Sequence, residues 1–243
     1  MKNLKTQRGN VLFLILIAVA LFAALSYAVT QSSRSGGDAS RETTILNAAQ
    51  LTQYPTSVRT AVLRLVIDGY QDTTLLYNKP ASITSGSEPI EIFATLGGGA
   101  IYQNAPSEMM EQSGSNPTGQ WYFNMDFEID DLGRTGVAGV GGNELIAFLP
   151  GVTESVCSRI NQEAGIIASA AVSNPAITGD VYGGSNGDVD FSYTAVADVA
   201  SATNIDLGEA TVGSASLSAQ PFGCFQNTGS GNEYVFYAVL LER

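Results

Sequence analysis

An unbroken run without a single charge occupies residues 11–29, and Ser26 and Tyr27 are its only polar members. Wound as a helix rising about 1.5 Å per residue, it would reach roughly 28 Å, close to the ~30 Å hydrocarbon core of a bilayer. One membrane span is the direct reading. Lys2, Lys5 and Arg8 precede the run and an acidic bulk follows it. The positive-inside rule therefore places the N-terminus in the cytoplasm and everything beyond Thr30 on the exported side. A secretory signal peptide has a similar charged start and apolar middle, and Ala24-Leu25-Ser26 and Ser26-Tyr27-Ala28 offer small-residue cleavage sites. Its apolar region is ordinarily about 7–15 residues, shorter than the run seen here.

Composition removes several function classes. Eleven basic residues against 23 acidic ones give a net charge of −12, so a phosphate-tracking nucleic-acid surface built from clustered Lys and Arg is not expected. There is no histidine, which eliminates Ser-His-Asp and Cys-His catalysis, histidine-based zinc chemistry and any imidazole proton shuttle. Only oxygen-ligand cations such as Ca²⁺ remain as candidates. The acidic loop material, Asp126, Glu128, Asp130 and Asp131 and separately Asp180, Asp188 and Asp190, has neither EF-hand nor RTX spacing. It reads as a solvated acidic face, and no cofactor is expected.

Beyond the apolar run, Thr30 to Gly37 is polar and ends in two glycines, which predicts a hinge. Val58, Val62, Leu65 and Val66 recur at helical spacing, and Pro55 is expected to divide this helix into pieces over residues 39–54 and 56–68. From residue 121 to 130 apolar and polar residues alternate, with Trp121, Phe123, Met125, Phe127 and Ile129 on one predicted face. Residues 88–95, 144–149, 188–196 and 234–241 are further strand candidates, and 153–164 a helix with Val156, Ile160 and Ala164 inward. The fold class expected is α+β: a long N-terminal membrane-spanning helix, then a mainly antiparallel β exported domain with a few helices. In an exported domain Cys157 and Cys224 are expected to pair, the alternative being two buried free thiols.

The leader Met1-Lys2-Asn3-Leu4-Lys5-Thr6-Gln7-Arg8-Gly9, joined without a spacer to the apolar helix, resembles the prepilin leader of type IV pilins and type II secretion pseudopilins. The resemblance covers residues 1 to 34. It implies cleavage after Gly9 by a prepilin peptidase, Asn10 as the new and methylated N-terminus, and retention of the helix for packing with other pilin-like subunits. It also implies a single-pass protein of the inner membrane with its C-terminal domain in the periplasm or at the cell surface. Two positions depart from the family. The first mature residue is Asn10 where an aromatic or apolar residue is usual, and the fifth is Leu14 where glutamate is usual. The missing charge points to a minor or atypical subunit.

The organisation implied is a leader over 1–9, a transmembrane helix over 10–30, a hinge and helical connector over 31–69, and a β-rich domain over 70–243. The function expected is that of a structural filament subunit, not an enzyme. The alternative is a membrane-anchored periplasmic binding module or glycan-active enzyme, since two carboxylates and a cleft suffice for glycoside chemistry. Trp121 and Tyr122 would be its sugar platform, although the alternation makes Trp121 a core residue first. Lys79 is followed by Pro80 and offers no Ser-Lys arrangement, and Gly97-Gly98-Gly99 lacks the Lys-Ser/Thr of a phosphate loop.

Overall fold

The protein, a computed structural model, is described over residues 10–32, 36–111, 118–133, 144–169, 172–177, 205–207, 214–228 and 233–242. It divides into two units, Met1–Thr43 and Thr44–Arg243. The first holds helix α1 (Asn10–Ser32) and the start of helix α2 (Gly36–Ile67). Among the described residues no helix is long and apolar enough to cross a membrane, which corrects the membrane-spanning helix expected over residues 10–30.

Helix α2 differs from expectation in two ways. Gly36 and Gly37 lie in its first turn rather than in a hinge, and Pro55 sits inside it without ending it. Proline removes one backbone donor and costs about 3 kcal/mol in a helix interior. Burial of Leu51, Tyr54, Pro55 and Val58 on the core side opposes that cost. Around the proline, hydroxyls take up helix carbonyls: Thr52 Oγ1 donates to Ala49 O at 2.9 Å, Thr56 Oγ1 to Thr52 O at 3.1 Å and Ser57 Oγ to Tyr54 O at 2.7 Å.

Among the described residues, the second unit is organised by a six-stranded sheet. Its strands are β1 (Tyr122–Glu128), β2 (Glu144–Pro150), β3 (Ala176–Ile177), β4 (Ile205–Asp206), β5 (Phe222–Asn227) and β6 (Glu233–Leu241), in spatial order β3-β5-β6-β2-β1-β4. The four central strands pair antiparallel, as expected. Both edge strands run parallel to their neighbours, so the sheet is mixed and the mainly antiparallel expectation is corrected. Two-residue strands are too short to show a period of two, and the direction in which a long connection returns leaves no trace in composition.

Both faces of this sheet are covered. On β6, Phe236, Ala238 and Leu240 join the cluster containing Leu51, Val58, Val62 and Leu65 of α2 and Val156 and Ile160 of helix α3 (Glu154–Glu163). Val235, Tyr237 and Val239 alternate with them into a second cluster, with Phe148 and Phe225. Strand β2 is buried at every position, which is why its sequence reads as a continuous apolar run. Strand β1 carries the main departure. A bulge between Asn124 and Phe127 shifts the register against β2, so Trp121 and Met125 face the helices while Phe127 and Ile129 face the second cluster. The uniform alternation over residues 121–130 does not survive, because one extra residue exchanges the two faces.

Residues 88–95 form no strand. Glu88–Ile90 is a single 3₁₀ turn, Pro89 fits its start, and Leu76 makes an isolated parallel bridge with Glu91. This segment is clamped to the glycine loop, since Gly98 N donates to Glu91 O at 2.9 Å. A Cβ at Gly97 would overlap the backbone carbonyl oxygens of Glu91 and Glu88, which have no side-chain freedom with which to yield. Gly97→Ala is therefore expected to destabilise the fold by about 1–3 kcal/mol, read as a lower urea midpoint at unchanged m-value. Gly86 has open space at its Cβ position and φ +98°, so Gly86→Ala reports backbone strain alone and should cost less. The expected strand over residues 188–196 lies outside the described residues.

Candidate functional site

The apolar helix and the cysteine pair both fall within the described residues. Gly9 lies outside them, and Asn10 is the first residue of α1. No acidic residue occurs in the first turn of α1 and no basic one in its last. Every described side chain from residue 12 to 27 is exposed. Leu12 is 69% exposed, Phe22 75% and Leu25 67%. Leu14 is among them, where the pilin resemblance has glutamate. Soluble proteins rarely leave so much contiguous apolar surface uncovered, and a helix apolar on all sides ordinarily has neighbours on all sides.

Cys157 of α3 and Cys224 of β5 form a disulfide with a Cα–Cα separation of 5.4 Å. Cys224 lies within strand β5. The site is completed by a residue the sequence reading missed. One turn beyond Cys157, the fully buried Asn161 accepts from Cys224 N and donates to Cys224 O, both at 2.8 Å. Its amide thus pairs with the outer edge of β5 as a strand would, just before β3 takes over that edge. Asn161 Nδ2 also donates to Asn174 Oδ1 at 2.8 Å, and Asn174 Nδ2 donates to Ser158 Oγ at 2.9 Å. The signal available was a polar residue four positions after Cys157 on an otherwise inward helix face.

The remaining candidates are dispersed. Asp180, Asp188 and Asp190 lie outside the described residues, and so does the side chain of Asp126. Glu144 Oε2 accepts from Ile129 N at 2.8 Å, and Asp131 Oδ2 accepts from Ser218 Oγ at 3.1 Å. Among the described residues no three acidic or cysteine side chains come together in a way that could hold a metal ion. Lys79 Nζ donates to Gln120 Oε1 at 2.8 Å. Trp121 is 1% exposed, between Tyr54 at 4.9 Å and Phe236 at 5.9 Å centroid separation. It is a core residue and offers no sugar platform.

Among the described residues, cavities lie on two sides of α2. One, of about 550 Å³, lies between Pro55, Thr56 and Arg59 and the strand residues Phe222, Phe236 and Ala238. The other, of about 430 Å³, lies between Tyr54, Ser57 and Arg64 and the loop Gly98-Gly99-Ala100-Ile101. Burial pushes the phenols of Tyr54, Tyr77 and Tyr237 well above their ordinary range. Comparison with known proteins finds no matching family model, no matching curated protein and no matching solved structure.

Proposed function

We propose that this chain is a structural subunit, minor or atypical, of a type IV pilus-like or pseudopilus-like filament, assembling through its N-terminal apolar helix. The observation that carries the reading is the exposure of every described α1 side chain over residues 12–27, with no charge among them. Copies of the same helix would cover that surface, exchanging water for apolar contact at roughly 25 cal/mol per Å². The disulfide supports placement of the second unit in an oxidising, exported compartment. The role is structural, and neighbouring subunits and the prepilin peptidase are the partners.

The test is maturation. The mature protein is expected to begin at Asn10, and this terminus should be lost when the prepilin peptidase is removed. Replacing Gly9 with leucine should leave the precursor beginning at Met1 and reduce filament incorporation to background. A mature terminus near Ala28 or Val29 would remove the helix and with it the proposal. So would a precursor that keeps Met1 and functions normally.

A further inference from the structure

In the second unit, the large apolar side chains left exposed among the described residues are unevenly placed. Leu63, Ile67 and Tyr70 belong to the C-terminal end of α2 and the turn after it, Leu96 and Ile101 to the glycine loop, and Leu46 and Val172 are the remainder. Ile67 is 83% exposed and Ile101 78%. Leu63 and Ile67 are neighbours one helical turn apart. The loop lies on the same helix, since a Cβ at Gly98 would stand 3.0 Å from the Ala61 methyl and Ile101 shares a cavity wall with Thr60 and Arg64. Apolar exposure gathered in this way marks a contact surface, where single scattered residues would not.

This patch lies at one end of the sheet. Trp121 joins Tyr54 of α2 to Phe236 of β6, and further along both elements Arg59 Nη2 reaches Glu242 Oε1, just past the end of β6, at 3.9 Å. Helix and strand thus advance together, and Leu63 and Ile67 stand one and two turns beyond Arg59. Arg59 and Arg64 border the patch and Asp68 follows it. Arg64 makes no ion pair among the described residues. The local balance is positive in a chain of net charge −12.

The opposite end of β6 carries the complement. Tyr234, half-buried, receives Gly151 N and Val152 N on its carbonyl at 2.9 and 3.1 Å, and Glu111 N donates to Gly151 O at 2.6 Å. Glu154 opens α3. Burial first, and then Glu154 and Glu111, push the Tyr234 phenol above its ordinary range, so both carboxylates stand close to that ring. Both glutamates are exposed, and Met110 beside them is only partly buried. Strand β6 has nine residues, about 30 Å at roughly 3.3 Å per residue, so within one copy Arg64 does not reach Glu154. Two unlike surfaces of opposite charge meet only between copies, and such a contact repeats along a line unless a rotation closes it.

We propose that the second units of successive copies meet head to tail. The apolar end of α2 in one copy rests on Tyr234 and Met110 of the next, and Arg64 lies against Glu111 and Glu154. The contact rests on the filament reading for its purpose, as the outer joint between copies gathered by α1, while its geometry needs the second unit alone.

The experiment is zero-length carbodiimide crosslinking of the full chain carrying Arg64→Lys, in isolated envelopes, with linked peptides mapped by mass spectrometry. Position 64 is expected to link to Glu111 or Glu154, and only in species of two or more chains. Adding Ile67→Ser should lower the yield of that link about tenfold, whereas Val172→Ser should leave it unchanged. Both positions are exposed, so the urea midpoint should hold in each. The proposal is overturned by absence of the link, by its presence in single chains, by position 64 linking equally to other acidic residues, by Ile67→Ser without effect, or by an equal loss with Val172→Ser. Terminal sequencing of the same material separates the two readings. The link with a terminus other than Asn10 keeps the contact and removes the filament; multimers with an Asn10 terminus and no link do the reverse.

Discussion

Replacing both Cys157 and Cys224 with alanine is expected to lower the unfolding free energy of the second unit by roughly 4 kcal/mol, the loop-entropy value for a closure of this length. The two residues are 67 apart in sequence, and the bond ties α3, on one sheet face, to β5, near the sheet edge. Without it, the unfolded chain regains the freedom of that whole interval. The folded state keeps the Asn161 amide on the Cys224 backbone, so the loss should come from the unfolded side and the native contacts should persist. Urea unfolding with and without reductant measures the effect, because reductant should shift the parent down to the alanine variant and leave the variant itself unmoved. Equal midpoints for oxidised parent and double variant would show that the bond constrains nothing the remaining contacts do not already hold. A typical domain has only about 5–15 kcal/mol in hand, so the loss would be a large share of the total.

The sequence made long, strongly patterned elements legible. Strands β2 and β6 and helix α3 fall within a residue or two of their expected bounds because their apolar positions are fixed by large buried surfaces. Cysteine pairing followed from compartment chemistry rather than geometry. What the pattern hid were places where one local event outweighs periodicity. The bulge after Asn124 exchanges the faces of β1, although the residues on either side alternate as before. Pro55 was expected to end a helix, but the burial of Leu51, Tyr54 and Val58 and the hydroxyl bonds around it carry the helix through. At residues 88–95 an apolar, β-branched composition resembled a strand, yet Pro89 and the close contact with Gly97 hold it as a turn.

The candidate sites divide along the same line. An apolar helix exposed along its described length follows directly from a run without charges. The cavity beside α2 was not legible at all. Tyr54, Arg64 and Gln103 are unremarkable in sequence, and only the approach of the glycine loop to Ala61 brings them around one space. Asn161 was hidden for a related reason, since a polar residue on an inward helix face has meaning only once its backbone partner is known.

Trp121→Ala is expected to cost about 3–5 kcal/mol, comparable to losing the disulfide, through a cavity that the surroundings cannot close. The indole lies just before β1 and is 1% exposed. Tyr54 of α2 packs against it at 4.9 Å with a 44° tilt, and Phe236 of β6 meets it edge-on at 5.9 Å and 82°. It therefore joins the helix to the central sheet at a point where both partners are themselves fixed by the core. Trp121→Phe retains one ring and part of each aromatic contact, and should lose distinctly less. These outcomes separate a core indole from a carbohydrate platform. A platform residue would lower sugar affinity and leave the urea midpoint in place, whereas an indole enclosed by Tyr54 and Phe236 must lower the midpoint first. Because the Tyr54 ring rests on it, Trp121→Ala should also loosen the wall of the neighbouring cavity, and the smaller Trp121→Phe change should leave that wall standing.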